Sequence, residues 1–258
     1  TFTYRADGLL ETDTIEPDSP QLCLTTTYGY DSKGNKTSAT TANCPGATGL
    51  ALIGNTIADT RSSSSTYDAQ PAQGIPLGLY ANKSSNALGH EETRTFDPRF
   101  GAVTQLTGPN GLSTSWTYDD FGRKTAELRA DGTSTVILYC LVSDKLDAAT
   151  RASVSSPGCP TPAANEQPAD AYLMVHSEPR NTSNAKMGPF TRVYSDAVGR
   201  ELRSVTEGFD ASTQPADTRA ALIVKDTRYN ASGQKVLETQ PYFLARGTSV
   251  AQGSAGVY

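Results

Sequence analysis

One seven-residue string recurs through the chain with small changes: YDSKGNK from Tyr30, YDDFGRK from Tyr118, SDAVGRE from Ser195 and YNASGQK from Tyr229. A recurring unit constrains a fold more than any composition does, because each copy must bury its apolar face against the next. Aligned on Gly34, Gly122, Gly199 and Gly233, the strings place Asp31, Asp119, Asp196 and Asn230 three residues earlier. That spacing has a mechanism. An Asp or Asn side chain at the first turn position accepts from backbone N–H groups two residues on, and the glycine takes the positive φ that returns the chain to a strand.

A second kind of turn is read between these, as GPNG at residues 108–111 and as RADG at residues 5–8 and again at 129–132. From Gly101 the turn glycines fall at 101, 111, 122 and 132, the spacing of an antiparallel meander. Within SWTYDDFGRKTAEL the side chains alternate with period two, which excludes a helix there. Tyr30, Tyr118 and Tyr229 before the turns read as amphipathic plugs that bury a ring and place a hydroxyl. Arg123 and Arg200 after the glycines read as stems lying over aromatics with their heads on a nearby carboxylate, since Asn35 and Gln234 stand at the same position elsewhere.

The strings YDDFGRKTAELRADGT, FDPRFGAVTQLTGPNG and VYSDAVGRELRSVTEGFD are similar to units of the RHS or YD-repeat family. Phe96, Asp97 and Gly101 form a longer copy with one extra residue. Ser195 in place of Tyr, and Asn35 and Gln234 in place of Arg, depart from the family pattern. The resemblance implies an all-β, repeat-built, curled antiparallel strip that forms part of a hollow shell. It further implies that the partners are the rest of the same polypeptide and an enclosed C-terminal toxin, in a bacterial secreted or cell-surface protein. The other implied role is a cell-surface module that binds glycans or a protein. Family members that cut themselves do so in a C-terminal domain with an acidic motif, which this chain does not match.

The whole of residues 1–258 is read as one stretch of this sheet, with irregular insertions at about 43–92 and 141–172. The first is rich in Ser, Asn, Ala, Gly and Pro and reads as a degenerate unit with long loops. The second reads as a short helix near residues 144–151 followed by a Pro-punctuated loop. TFTYRADG reads as a strand already under way rather than a signal peptide, and SAGVY as the start of another strand, as in a piece of a longer protein.

Four cysteines lack CxxC spacing, and only His90 and His176 accompany them, so no zinc site is read. Cys23 and Cys44 are symmetric about the turn at residues 30–34 and are expected to face each other across that hairpin. Cys140 and Cys159 then close the second insertion, in an oxidising compartment. Net charge is -5 with acids and bases interspersed, which gives no footprint for nucleic acid. The longest apolar run, at residues 136–142, is far short of a membrane-spanning helix. No nucleophile elbow, phosphate loop or metalloprotease motif occurs, and the HEE string at residues 90–92 reads as a solvated loop. The chain is therefore read as non-catalytic and without cofactor.

Overall fold

The structure is a computed structural model that describes residues 1–19, 22–44, 60–143, 146–208 and 221–244. The five C-terminal residues read as a further strand lie outside the described residues, as do Asp144 and Lys145. The chain divides into two compact units, Thr1–Trp116 and Thr117–Tyr258.

In the first unit β1 (Phe2–Tyr4), β2 (Leu10–Ile15), β3 (Leu24–Tyr30), β4 (Lys36–Asn43), β5 (Thr60–Thr66), β6 (Lys83–Ser85), β7 (Glu91–Asp97), β8 (Ala102–Thr107) and β9 (Ser113–Tyr118) follow in order. Each pairs antiparallel with the next. The second unit takes up the last two residues of β9 and continues through β10 (Lys124–Leu128), β11 (Ser134–Leu141), β12 (Leu173–Arg180), β13 (Thr191–Ser195), β14 (Glu201–Glu207) and β15 (Leu222–Tyr229). Two short strands, β16 (Lys235–Glu238) and β17 (Tyr242–Phe243), share the far edge of β15. Both units are all-β, antiparallel and built from repeated hairpins. Among the described residues the helical elements include α1 (Ala148–Val154), capped by Asp147, and a 3-10 turn at Pro71–Gln73.

The two kinds of turn share one backbone frame, which corrects the distinction drawn from sequence. In DDFG the Gly122 N–H bonds the Asp119 carbonyl at 3.0 Å and the Asp119 N–H bonds the Arg123 carbonyl at 3.0 Å. In RADG the Gly132 N–H bonds the Arg129 carbonyl and the Arg129 N–H bonds the Thr133 carbonyl, both at 2.9 Å. What differs is where the capping side chain sits. Asp119 Oδ1 accepts from the Phe121 and Arg123 N–H groups from the first position, whereas Asp131 Oδ1 accepts from Thr133 N–H from the third.

Residues 60–66 and 83–85, within the stretch read as a degenerate unit with long loops, are strands. Short hydroxyl side chains suit a pleated surface, and they pair across the ladder: Thr40 with Ser62 at 2.9 Å and Ser64 with Ser85 at 2.8 Å. Glu91 and Glu92 likewise lie in β7, and His90 closes the turn before it through Asn86. The longer copy is built differently as well: buried Phe96 stacks on Tyr80 at 4.7 Å, and the Gly101 N–H reaches back to the Asp97 carbonyl at 2.8 Å.

Gly122 has φ of 75°, a region that a β-branched residue rarely enters. Gly122→Val is expected to destabilise the chain by about 1 to 3 kcal/mol, while Arg123→Ala, which removes a half-exposed ion pair, costs about 0 to 1 kcal/mol. Thermal melts of the two variants check this ordering.

Candidate functional site

The second unit places its polar chemistry on one face of β12–β15, beneath the insertion. Side chains at alternate positions form two rows across the strands. One row runs Cys140, Met174, Tyr194, Arg203 and Asp226, and the next runs Leu138, His176, Arg192, Val205 and Val224. Apolar and charged groups exchange sides between the rows. This face therefore carries a buried network of charge at its centre.

The insertion does three things in order. After α1, Ser155 and Ser156 cover the part of the β11 edge beyond the β10 pairing: Ser156 Oγ accepts from Tyr139 N–H at 3.0 Å and Ser155 Oγ from Leu141 N–H at 2.8 Å. That removes an edge open to another strand. Cys159 then bonds Cys140, as Cys23 bonds Cys44 across the β3–β4 hairpin. Each bridge closes a loop of about 20 residues, for which chain entropy gives about 3 kcal/mol.

Finally the chain inserts Glu166, whose side chain is fully buried. Arg192 Nη1 donates to both of its oxygens at 2.7 and 2.8 Å, Tyr194 Oη donates at 2.8 Å, and the Ala163 N–H donates at 2.7 Å. Asn165 beside it has φ of 62°, an uncommon conformation for a non-glycine residue. There the carbonyls of Asn165 and Glu166 both accept from Arg203 Nη1 at 2.9 Å. Arg203 also forks onto Asp226, Nε to Oδ1 at 2.5 Å and Nη2 to Oδ2 at 2.9 Å, and Nη2 donates to Tyr242 Oη at 3.3 Å. All five donors of the guanidinium are thus directed at acceptors. Burying such a charge is tolerable only because it is fully partnered.

Burial, and then the charge of Glu166, push the Tyr194 hydroxyl far above the usual tyrosine range. Burial and the hydrogen bond to Asp226 push Tyr242 up to about 12. His176 accepts from Arg192 Nε–H at its Nδ1 at 3.2 Å, and its ring lies 5.3 Å from Phe190. Burial first, and the Arg192 charge second, hold it below the ordinary histidine value.

The turn residues stand apart from this cluster. Partial burial pushes the Asp119 carboxyl up, but the Arg123 and Phe121 donors outweigh it and hold it below its usual 3.8. Arg123 donates from Nε to Asp119 at 2.7 Å and lies 4.2 Å over Tyr139, and Arg200 repeats the arrangement with Asp196 and Tyr229. Asn35 bonds Asp31, and Gln234 bonds Asn230, through the same two positions. Tyr30 Oη donates to the Leu10 carbonyl at 2.8 Å.

Two clefts flank the insertion. One of about 390 Å³ is lined by Phe121, Val136, Ile137, Leu138, Val154 and Pro157, and one of about 530 Å³ by Pro168, Asp170, Arg200, Arg203, Arg228 and Tyr229. Among the described residues no group of three His, Cys, Asp or Glu side chains is placed to hold a metal ion, and no helix is long and apolar enough to cross a membrane.

Comparison with known proteins bears on the turns. Residues 96–134 match the model of the RHS Repeat family. That stretch is similar to an RHS repeat. The match spans β8–β10 with their flanking turns and includes Asp97, Gly101, Asp119, Gly122 and Arg123. Among solved structures the chain is similar to one titled TcdB2-TccC3-Cdc42, at 13% identity and a TM-score of 0.48, with 92% of this chain and 12% of that chain covered. It is also similar to one titled TcdB2-TccC3, at 15% identity and a TM-score of 0.42, with 94% and 17% covered. The chain thus spans less than a fifth of the length of either. No match is found among curated proteins.

Neither Glu166 nor its partners were read from sequence as a site. The signal was present in MVHS, RVYS, LRSV and VKDT, where a charged or titratable residue falls in phase with the apolar positions of a strand. Glu166→Ala leaves Arg192 buried without its anion and is expected to cost about 3 to 5 kcal/mol. Glu166→Ala combined with Arg192→Leu should recover most of that loss, as urea denaturation of the single and double variants would measure.

Proposed function

We propose that this chain is a non-catalytic wall segment of an RHS/YD-repeat shell, which encloses a toxic polypeptide carried further along the same protein and exported from a bacterium. The observation that carries this reading is where the charged groups go. Arg192, Arg203, Glu166 and Asp226 are buried and directed at one another, and the carboxylates at the turn tips hold their own backbone. Such groups build a surface rather than act on a substrate. The RHS repeat at residues 96–134 supports the same reading, as do the two disulfides, which suit a protein that works outside the cytoplasm.

A second reading rests on the turn tips. Phe121 and Val198 are 73% and 75% exposed at equivalent positions of two turns. Aromatic and apolar tips in a row would suit an adhesive module that binds glycans or a surface protein. A glycan array separates the two readings, since saturable binding by this chain favours adhesion.

The container reading predicts that, in the full-length protein, the polypeptide following the repeats resists added protease. It should be digested once the wall is opened by reduction and mild denaturant. Digestion at the same rate before and after opening would overturn the reading.

A further inference from the structure

The insertion is seated on the sheet face by the Glu166 carboxylate beside the two carbonyls on Arg203, and the arginine that holds the carboxylate also donates to a neutral histidine. Arg192 uses Nη1 for Glu166 and Nε for His176 Nδ1, so the imidazole must present a lone pair there. The surroundings of His176 leave little room for a second arrangement. It is 5% exposed, with Phe190 against its ring. Arg192 faces it from β13, while Glu178 and Arg180 share its own strand, with Glu178 Oε2 at 3.8 Å from Nε2. Lys186 approaches from the following turn and is itself paired with Glu207 of β14. Of these groups Glu178 favours a protonated ring and the three cations oppose it.

We propose that His176 makes the seat of residues 160–172 acid-sensitive: a proton taken from solvent at Nδ1 removes the acceptor for Arg192 and sets two cations side by side, so that Glu166 is released. The Cys140–Cys159 bridge keeps one end of this segment tied and β12 continues from the other. Opening is therefore confined between them. It uncovers part of the cluster formed by Met174, Tyr194, Val205 and Val224, which an apolar dye would report. This device does not depend on whether the chain walls a container or serves adhesion.

The direction follows from proton linkage. A histidine held below its unfolded value stabilises the closed seat above about pH 6.5, and that contribution is lost as pH falls below it. For one proton bound only in the open state, the open fraction rises by up to about 30-fold between pH 7.5 and 5.0. The test is hydrogen exchange on the intact, disulfide-bonded chain at these two pH values, corrected for the chemical rate, together with binding of a fluorescent apolar dye. Amides of residues 160–171 are expected to lose protection in acid and dye binding to rise, while β14 and β15 stay protected. His176→Asn, which keeps a neutral acceptor, should abolish the pH response. Protection of residues 160–171 that is the same at both pH values in the unaltered chain would overturn the proposal. An undiminished response in His176→Asn would overturn it as well, because the proton would then be acting elsewhere. Should the variant fail to fold, His176→Gln takes its place, and equal protection at the two pH values in the unaltered chain still overturns the proposal.

Discussion

The repeat hairpins among the described residues depend on a short polar side chain that accepts from backbone N–H groups at the turn and on a glycine with positive φ that ends it. Asp31, Asp119, Asp196 and Asn230 do this with one oxygen each, and Gly34, Gly122, Gly199 and Gly233 complete the turn with φ between 78° and 85° or, at Gly122, 75°. Because side chains alternate along a strand, a one-residue slip at any turn would send its whole set to the other face. The turn therefore decides which residues face the insertion. The disulfide between Cys23 and Cys44 lies at the open end of one such hairpin.

The second unit shows what a repeat does when its face is not apolar. Across β12–β15 each strand contributes both apolar and polar inward positions, and the polar ones would be costly to bury alone. Residues 141–172 answer that cost. They bring Glu166 to Arg192, two carbonyls to Arg203, two hydroxyls to the open edge of β11 and a cysteine to Cys140. A Pro-rich, structureless-looking stretch is in this way a fitted part of the core, with Ala171 among its buried residues.

The fold class was legible because turn glycines and period-two alternation are local signals, readable without knowing what touches what. The cap on the turn was legible for the same reason. What escaped was of two kinds. Strands β5 and β6 carry Ser and Thr rather than apolar residues, so their pairing rests on cross-strand hydroxyls that a hydrophobic pattern does not report. The Glu166 network joins residues 26 to 38 positions apart, and nothing at Glu166 itself distinguishes it from any other acid in a loop. Its existence could be inferred only from the other side, as charged residues in phase with the apolar face of four successive strands.

The turns at residues 119–123 and 230–234 use an ion pair and a neutral amide pair for the same task, so the cap is a matter of hydrogen-bond geometry more than of charge. The direct test is the stability of Asp119→Asn/Arg123→Gln beside that of Asp119→Ala, by chemical denaturation. The account predicts that the double replacement stays within about 1 kcal/mol of the unaltered chain, while the alanine variant loses about 1 to 2 kcal/mol along with its backbone bonds. A double variant that loses as much as the alanine variant would contradict it, and would mean that charge holds these turns.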